Sequence, residues 1–307
     1  MSAHSAPSPG SPAPRPRASD DATDGGSHGA NADATASDAT DAAAPDATTP
    51  GGYDAHAGGA LRGVASALLI ALYIVLYLLT LAPVVLLAPG WLARHNAWAL
   101  HLWGRPILWL AGIRLDIHGA EQLQTDGPQL LLFTHQSIAD MALLGALWPA
   151  RGTVVYKREF HAIPLMGRSM RAMGLTPIDR GHRKSAMRAL DELAARIREQ
   201  NLQAMLAPEG TRSKRGGLLP FKRGPFHVAL QTRAPIVPVI LRGVHQVLPP
   251  GSCLPRSGTV RIDYLPAIDT SHWHEDDMAQ HVREVRARFL ELVPDSAETS
   301  SQASPNG

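Results

Sequence analysis

From Val64 to Ala82 the chain runs for 19 residues without a charge, mostly through Leu, Ala, Ile and Tyr. As a helix rising about 1.5 Å per residue it would be about 28 Å long, close to the ~30 Å hydrocarbon thickness of a bilayer. The run is apolar on every face, so a soluble core would have to surround it completely. It predicts a membrane-anchoring helix, with Pro83 and Pro89 breaking or kinking its end. A second apolar stretch, Trp98 to Ile113, holds His101, Arg105 and tryptophans at 98, 103 and 109. Aromatic and cationic side chains suit the interface better than the bilayer centre. Two arrangements satisfy the pattern: a single span, or a bent helix pair dipping into one leaflet. Arg62, Arg94 and Arg105 favour keeping the rest of the chain on the cytoplasmic face of an inner or cytoplasmic membrane.

Residues 1–60 are built from Ala, Ser, Thr, Pro, Gly and Asp, and Tyr53 is their one aromatic. Such a segment cannot bury enough apolar surface to offset its ordering entropy, so a disordered tail is expected there. Its eight Asp against Arg15 and Arg17 give a formal −6; with the whole chain at +2, residues 61–307 carry +8. A basic folded part suits anionic lipid surfaces and phosphorylated substrates, or serves only solubility. The apolar run begins some sixty residues in, so secretion is not expected. Cys253 is the single cysteine, which excludes an intramolecular disulfide and a cysteine-based metal site. No metal, bound cofactor or nucleic-acid partner is expected.

After Arg114 the pattern alternates between strands and helices. Strands are expected at Ile113–Ile117, Gln129–Phe133, Thr153–Tyr156, Leu175–Ile178, Gln203–Leu206, Ile236–Leu241 and Thr259–Tyr264. Ala186, Leu190, Leu193 and Ile197 recur at helical spacing, and Phe226–Gln231 and Met278–Leu292 read as further helices. The fold class is α/β, a mainly parallel or mixed sheet flanked by helices, with an N-terminal membrane-anchoring helical segment. The expected organisation is a tail at 1–60, anchoring helices at 61–112, an α/β domain at 113–293 and a second disordered tail at 294–307. Pro235 and Pro238 fall in an apolar strand, where proline belongs at an edge or a bulge.

The chemistry centres on Phe133-Thr134-His135-Gln136-Ser137-Ile138-Ala139-Asp140. An apolar strand precedes it and a helix follows, which puts His135 at a strand end and Asp140 in the helix's first turn. The carboxylate can then fold back onto one ring nitrogen and leave the other to accept a proton. Spacing alone decides little, because His28 with Asp33 and His272 with Asp277 have the same separation and no strand in front.

Further along stands Ala207-Pro208-Glu209-Gly210-Thr211-Arg212-Ser213. With this block in view, the sequence resembles the glycerolipid acyltransferase family over roughly Leu61 to Leu265. Four blocks occur in the family's order. They are His135 to Asp140; Gly174 to Arg180; Pro208 to Ser213 with Phe221 to Gly224; and Ala234 to Val239. Thr134 departs from the Asn that many members carry before the His.

The resemblance implies transfer of a fatty acyl group from acyl-CoA or acyl-acyl carrier protein to the sn-2 hydroxyl of 1-acylglycerol-3-phosphate. His135 would be the base and Asp140 its orienting partner. No serine nucleophile is evident and Cys253 sits among prolines, which favours direct attack by the acceptor hydroxyl. Gly210, Thr211 and Arg212 offer close backbone approach, a hydroxyl and a guanidinium to the acceptor phosphate, with Arg180 as a second cation. Lys157, Lys222 and Arg223 are supporting cations. Glu209 would either order Arg212 or its loop, or bind the acceptor's glycerol. Leu165, Met166, Met170 and Met173 line an acyl groove or simply pack the core. Membrane lipids and a lysophospholipid acceptor are the expected partners. Competing readings are another acceptor such as a lyso-ornithine lipid, a membrane-anchored lipid or thioester hydrolase, and a lipid-binding module without catalysis.

Overall fold

Along Gln129–Phe133 (β2), Leu130 and Leu132 pack into one apolar cluster, while Leu131 and Phe133 pack into another. Side chains of a strand alternate between faces, so this strand is covered on both sides. A computed structural model describes residues 57–294 apart from 125, 164 and 214–216. The expected tails, up to residue 56 and from 295 onward, lie outside the described residues, as does His28.

In chain order the helices and strands are α1 (Ala57–Leu87), α2 (Pro89–Arg94), α3 (Asn96–Ala111), β1 (Ile113–His118), β2, α4 (Asp140–Ala146), β3 (Gly152–Lys157), α5 (Met166–Ala172), β4 (Thr176–Ile178), α6 (Arg183–Gln200), β5 (Gln203–Leu206), α7 (Gly224–Thr232), β6 (Ile236–Arg242), α8 (Val244–Val247), β7 (Gly258–Tyr264) and α9 (Met278–Leu290). The sheet runs β1-β7-β6-β2-β5-β3-β4. The β6–β7 pair is antiparallel and every other pairing is parallel, so the sheet is mixed. On one face Leu131, Phe133 and Val239 meet Leu92 and Ala99 of the N-terminal helices and Leu143 of α4. On the other, Leu130, Leu132 and Ile240 meet Leu193 and Ile197 of α6, Phe226 of α7 and Phe289 of α9.

The helix expected to anchor the chain departs from expectation in two ways. α1 continues past Pro83 to Leu87 and stops before Pro89. It is also not open on every face: Tyr77, Leu81 and Val85 are buried, whereas Leu68, Leu72, Leu79 and Leu87 are exposed. Its packing partner is α3, antiparallel to it. The Tyr77 hydroxyl donates to the Ala99 carbonyl at 3.0 Å, the Tyr73 hydroxyl to the Leu102 carbonyl, and Arg62 at the other end to the Ser257 hydroxyl. α3 in turn crosses α4 where Gly104 approaches Gly145. A Cβ built on Gly104 would stand 2.3 Å from the Ala142 carbonyl oxygen, so this approach needs glycine. The helix that begins with Asp140 is thereby seated on the N-terminal helices.

Pro238 lies in a central strand, yet at a bulge. Its carbonyl accepts the Leu265 N–H at 2.9 Å, and the next contact pairs Ile236 with Ile268. Two residues of β6 are thus matched by three opposite, and the missing proline N–H falls at that irregularity.

Candidate active site

β2 and β5 are neighbours, but the chain leaves β2 into α4 on one face and leaves β5 toward α7 on the other. That divergence marks the switch point of the sheet at the carboxyl ends of the strands, the usual place for a site in such a fold. His135 and Asp140 follow β2, and Pro208 to Ser213 follow β5.

Thr134 extends β2 by one residue. Its N–H donates to the Val239 carbonyl at 3.2 Å and its hydroxyl accepts the Leu241 N–H at 2.9 Å. The residue that departs from the common Asn therefore ties the turn to β6. The next residue, His135, donates through Nδ1 to Asp140 Oδ2 at 2.8 Å. The same oxygen accepts the N–H groups of Gln136 at 2.7 Å and Ser137 at 2.9 Å. With Oδ2 already accepting from two backbone donors, Nδ1 must carry the proton and Nε2 keeps its lone pair. The Asp140 side chain is 0% exposed and that of His135 19%, so the pair is anchored inside and open at the ring. The decoy pair behaves differently: His272 approaches Asp269 at 3.6 Å, and Asp277 stands at the residue before α9.

Glu209, 1% exposed, accepts the His135 N–H through Oε1 at 3.1 Å and the Leu219 N–H through Oε2 at 3.0 Å. Burial raises its pKa against the opposing pull of those two donors. Both of its oxygens thus accept backbone N–H groups, one from the turn after β2 and one from the segment after β5. The Ser213 N–H donates to the His135 carbonyl at 2.8 Å, so His135 is gripped at both its N–H and its C=O by the β5 loop. Gly210 takes φ +69°, a left-handed turn suited to glycine, and its carbonyl accepts Arg180 Nη1 at 2.6 Å. Arg180, at the end of β4, is thereby joined to the β5 loop.

Thr211 and Arg212 are exposed. Lys222 and Arg223 expose their side chains and serve the fold through backbone: the Lys222 N–H donates to Pro208 at 2.7 Å, and the Arg223 carbonyl accepts the His227 N–H at 2.9 Å. Lys157 pairs with Glu159 at 2.9 Å, away from this hydrogen-bonded set. Met173 is buried in the core, and Leu165 and Met170 pack against it. Beneath Phe133 the apolar packing leaves a cavity of only about 10 Å³. A larger cavity, about 360 Å³, lies beside β4 among Arg158, His161, Arg171, Asp179 and Arg188 and does not include His135.

Sequence reasoning missed His245. Its Nε2 lies 3.0 Å from the Gln136 carbonyl oxygen and 3.1 Å from that of Ser213. It also missed Ser137, whose hydroxyl donates to the Leu248 carbonyl at 3.1 Å. A separation of 109 residues between His245 and Gln136 leaves no local pattern to find.

A family profile described as Acyltransferase matches residues 114–242. A 1-acyl-sn-glycerol-3-phosphate acyltransferase from Limnanthes alba is 34% identical over 196 residues, 64% of this chain and 69% of that one. The human 1-acyl-sn-glycerol-3-phosphate acyltransferase beta is 32% identical over 224 residues, 72% and 81% of the two chains. The chain belongs to the glycerolipid acyltransferase family. A relative of the same name from Cocos nucifera is 34% identical, and the match spans 63% of its length. Among solved structures, the 1-acyl-sn-glycerophosphate acyltransferase PlsC from Thermotoga maritima is similar with a TM-score of 0.59. That likeness is at 22% identity, over 76% of this chain and 97% of that one, and concerns the fold. The family region contains His135, Asp140, Arg180, Glu209 and Arg212, whereas His245 lies just past its end.

Proposed function

We propose that this acyltransferase moves a fatty acyl group from an acyl thioester to the sn-2 hydroxyl of 1-acylglycerol-3-phosphate, giving phosphatidate. The observation that carries the reading is the His135–Asp140 pair locked, through Glu209 and Ser213, to the loop that bears Arg212. Nε2 of His135 takes the acceptor's hydroxyl proton as its oxygen attacks the thioester carbonyl. Asp140 stabilises the imidazolium without taking the proton. Collapse of the tetrahedral intermediate breaks the C–S bond, and His135 returns its proton to the leaving thiolate. Arg212, with Arg180, Gly210 and Thr211, would hold the acceptor phosphate. Acyl-CoA or acyl-acyl carrier protein would supply the acyl group, with no bound cofactor.

The attachment we infer is monotopic. The Gly59–Leu87 helix has a mean hydropathy of 2.6 and is long and apolar enough to cross a bilayer. Arg62 at its start is nevertheless bonded to Ser257 of the α/β part, and Val85 near its end lies in the same core. A helix packed to the domain at both ends suits lying in the interface, with Leu68, Leu72, Leu79 and the exposed Trp98 and Trp109 in one leaflet. The α/β part would then face the cytoplasm.

The test is purified protein offered labelled lysolipids, with Arg212 substituted. A charge-assisted hydrogen bond is worth roughly 1.5–3 kcal/mol. Arg212→Ala should therefore lower kcat/KM for 1-acylglycerol-3-phosphate by about ten- to a hundredfold. Arg212→Lys should restore only part, lacking the planar two-point contact. Preference for a neutral or zwitterionic lysolipid, or equal losses in background thioester hydrolysis, would overturn the phosphate-acceptor reading.

A further inference from the structure

We propose that His245 is a positioning residue that holds the base-bearing turn and the Arg212 loop at a fixed separation; its kinetic consequence rests on the function proposed above. Nε2 of His245 lies within hydrogen-bond distance of two carbonyl oxygens, those of Gln136 at 3.0 Å and Ser213 at 3.1 Å. A carbonyl only accepts, so Nε2 carries a hydrogen and shares it between them.

Both carbonyls belong to backbone already committed to the site. The Gln136 carbonyl is part of the peptide whose N–H, on Ser137, donates to Asp140 Oδ2 at 2.9 Å. Ser213 donates its own N–H to the His135 carbonyl at 2.8 Å. A closed ring results: Asp140, the Gln136–Ser137 peptide, His245, Ser213, His135 and back to Asp140. His245 is the member supplied from outside the two loops.

Its own support is fixed at both ends. Before it, Gly243 has φ +87°, and a Cβ there would stand 2.9 Å from the Thr259 carbonyl oxygen. After it, the Leu248 carbonyl accepts the Ser137 hydroxyl. α8 is thus a short strap leading from β6 over the turn, and the imidazole is its bracket. Removing the donor takes one hydrogen bond from the Gln136–Ser137 peptide and one from Ser213. The gap between Nε2 of His135 and the guanidinium of Arg212 then loses one of its constraints, the others being the Glu209 and Ser213 bonds to His135. A misplacement of about 1 Å costs on the order of a hundredfold in well-positioned sites. The effect belongs to an acceptor that must reach both loops together. Water attacking the thioester needs only the base.

The experiment compares His245→Leu and His245→Gln in the full-length protein, by kinetics and by backbone amide exchange. Leucine fills space without donating, while the glutamine amide can donate close to where Nε2 does. In His245→Leu, kcat/KM for 1-acylglycerol-3-phosphate should fall about tenfold or more, several times further than thioester hydrolysis falls. The Ser137 and Ser213 amides should exchange faster, with α6 and α9 as protected as before. His245→Gln should recover most of both. Equal loss in transfer and hydrolysis would overturn the proposal, as would unchanged exchange at Ser137 and Ser213, or a glutamine variant no better than leucine. The exchange arm needs no substrate. A wild-type protein that fails to acylate the phosphate acceptor would sink the functional reading while leaving that arm to decide on His245.

Discussion

Replacing Asp140 by Asn separates the charge of the carboxylate from its geometry. Oδ2 accepts three hydrogen bonds, from His135 Nδ1 and from the N–H groups of Gln136 and Ser137, whereas the buried Oδ1 has no partner among the described residues. Two backbone donors fix the orientation of an incoming amide: its oxygen must take the Oδ2 position and its NH2 the Oδ1 position. The amide oxygen then still accepts from Nδ1, so the ring keeps its tautomer and loses only the charge opposite the imidazolium. A hydrogen bond to a charged group is worth about 1.5–3 kcal/mol and a neutral one about 0.5–1.5. The difference, about 1–1.5 kcal/mol, predicts a fall in kcat of roughly five- to fifteenfold. The NH2 buried without an acceptor should cost about 1–3 kcal/mol of stability. Asp140→Ala loses more, freeing the ring and orphaning both N–H groups, and its kcat should fall a further tenfold or more. The assay is single-turnover acyl transfer beside a denaturant titration of each variant. An Asn variant about 10⁴-fold impaired, as when a triad histidine is forced into the wrong tautomer, would refute the claim that the backbone donors set the orientation.

Two other outcomes follow from the same geometry. Glu209 has a pKa raised by burial, so the native state holds its proton to higher pH than the unfolded chain does. Its contribution to stability should fall as pH rises from about 4.5, the ordinary value, through the raised one. Glu209→Gln removes that slope and, with NH2 facing one backbone N–H, costs about 1–3 kcal/mol; a wild-type-minus-variant difference that grows with pH would contradict this. On the anchor, Leu72→Ser with Leu79→Ser removes two exposed leucines, about 3 kcal/mol of apolar burial or more. The partition coefficient onto anionic vesicles should fall about a hundredfold with folding intact, and unchanged flotation would remove that face from the membrane contact.

Much of this architecture is legible in the residues. Leu130 to Phe133, Ala204 to Leu206 and Ile236 to Leu241 are continuous apolar runs because their strands are buried on both faces, and the seven expected strands fall within a residue or two of those observed. His135 was separable from His272 because an apolar strand leads into one and not the other. What stayed hidden depends on residues distant in the chain. α5 and α8 are too short for a periodic signal, at seven and four residues. The approach of Gly104 to Gly145 is a meeting of two helices that neither glycine announces. Glu209 could be singled out as important, yet its two backbone partners, His135 and Leu219, emerge only when β2 and β5 lie side by side. The buried stripe of α1 was masked because both its faces are apolar, so composition could not distinguish a packed side from an open one.

The most direct test of the account is His135→Ala, assayed for phosphatidate formation from 1-acylglycerol-3-phosphate and an acyl thioester. A positioned base contributes about 10²–10⁴-fold, so product should form at no more than about a hundredth of the wild-type rate. The variant should remain folded and bound to membranes, and His272→Ala should leave the rate nearly unchanged. A His135→Ala enzyme that turns over near the wild-type rate would contradict the assignment of the strand-end histidine as the base.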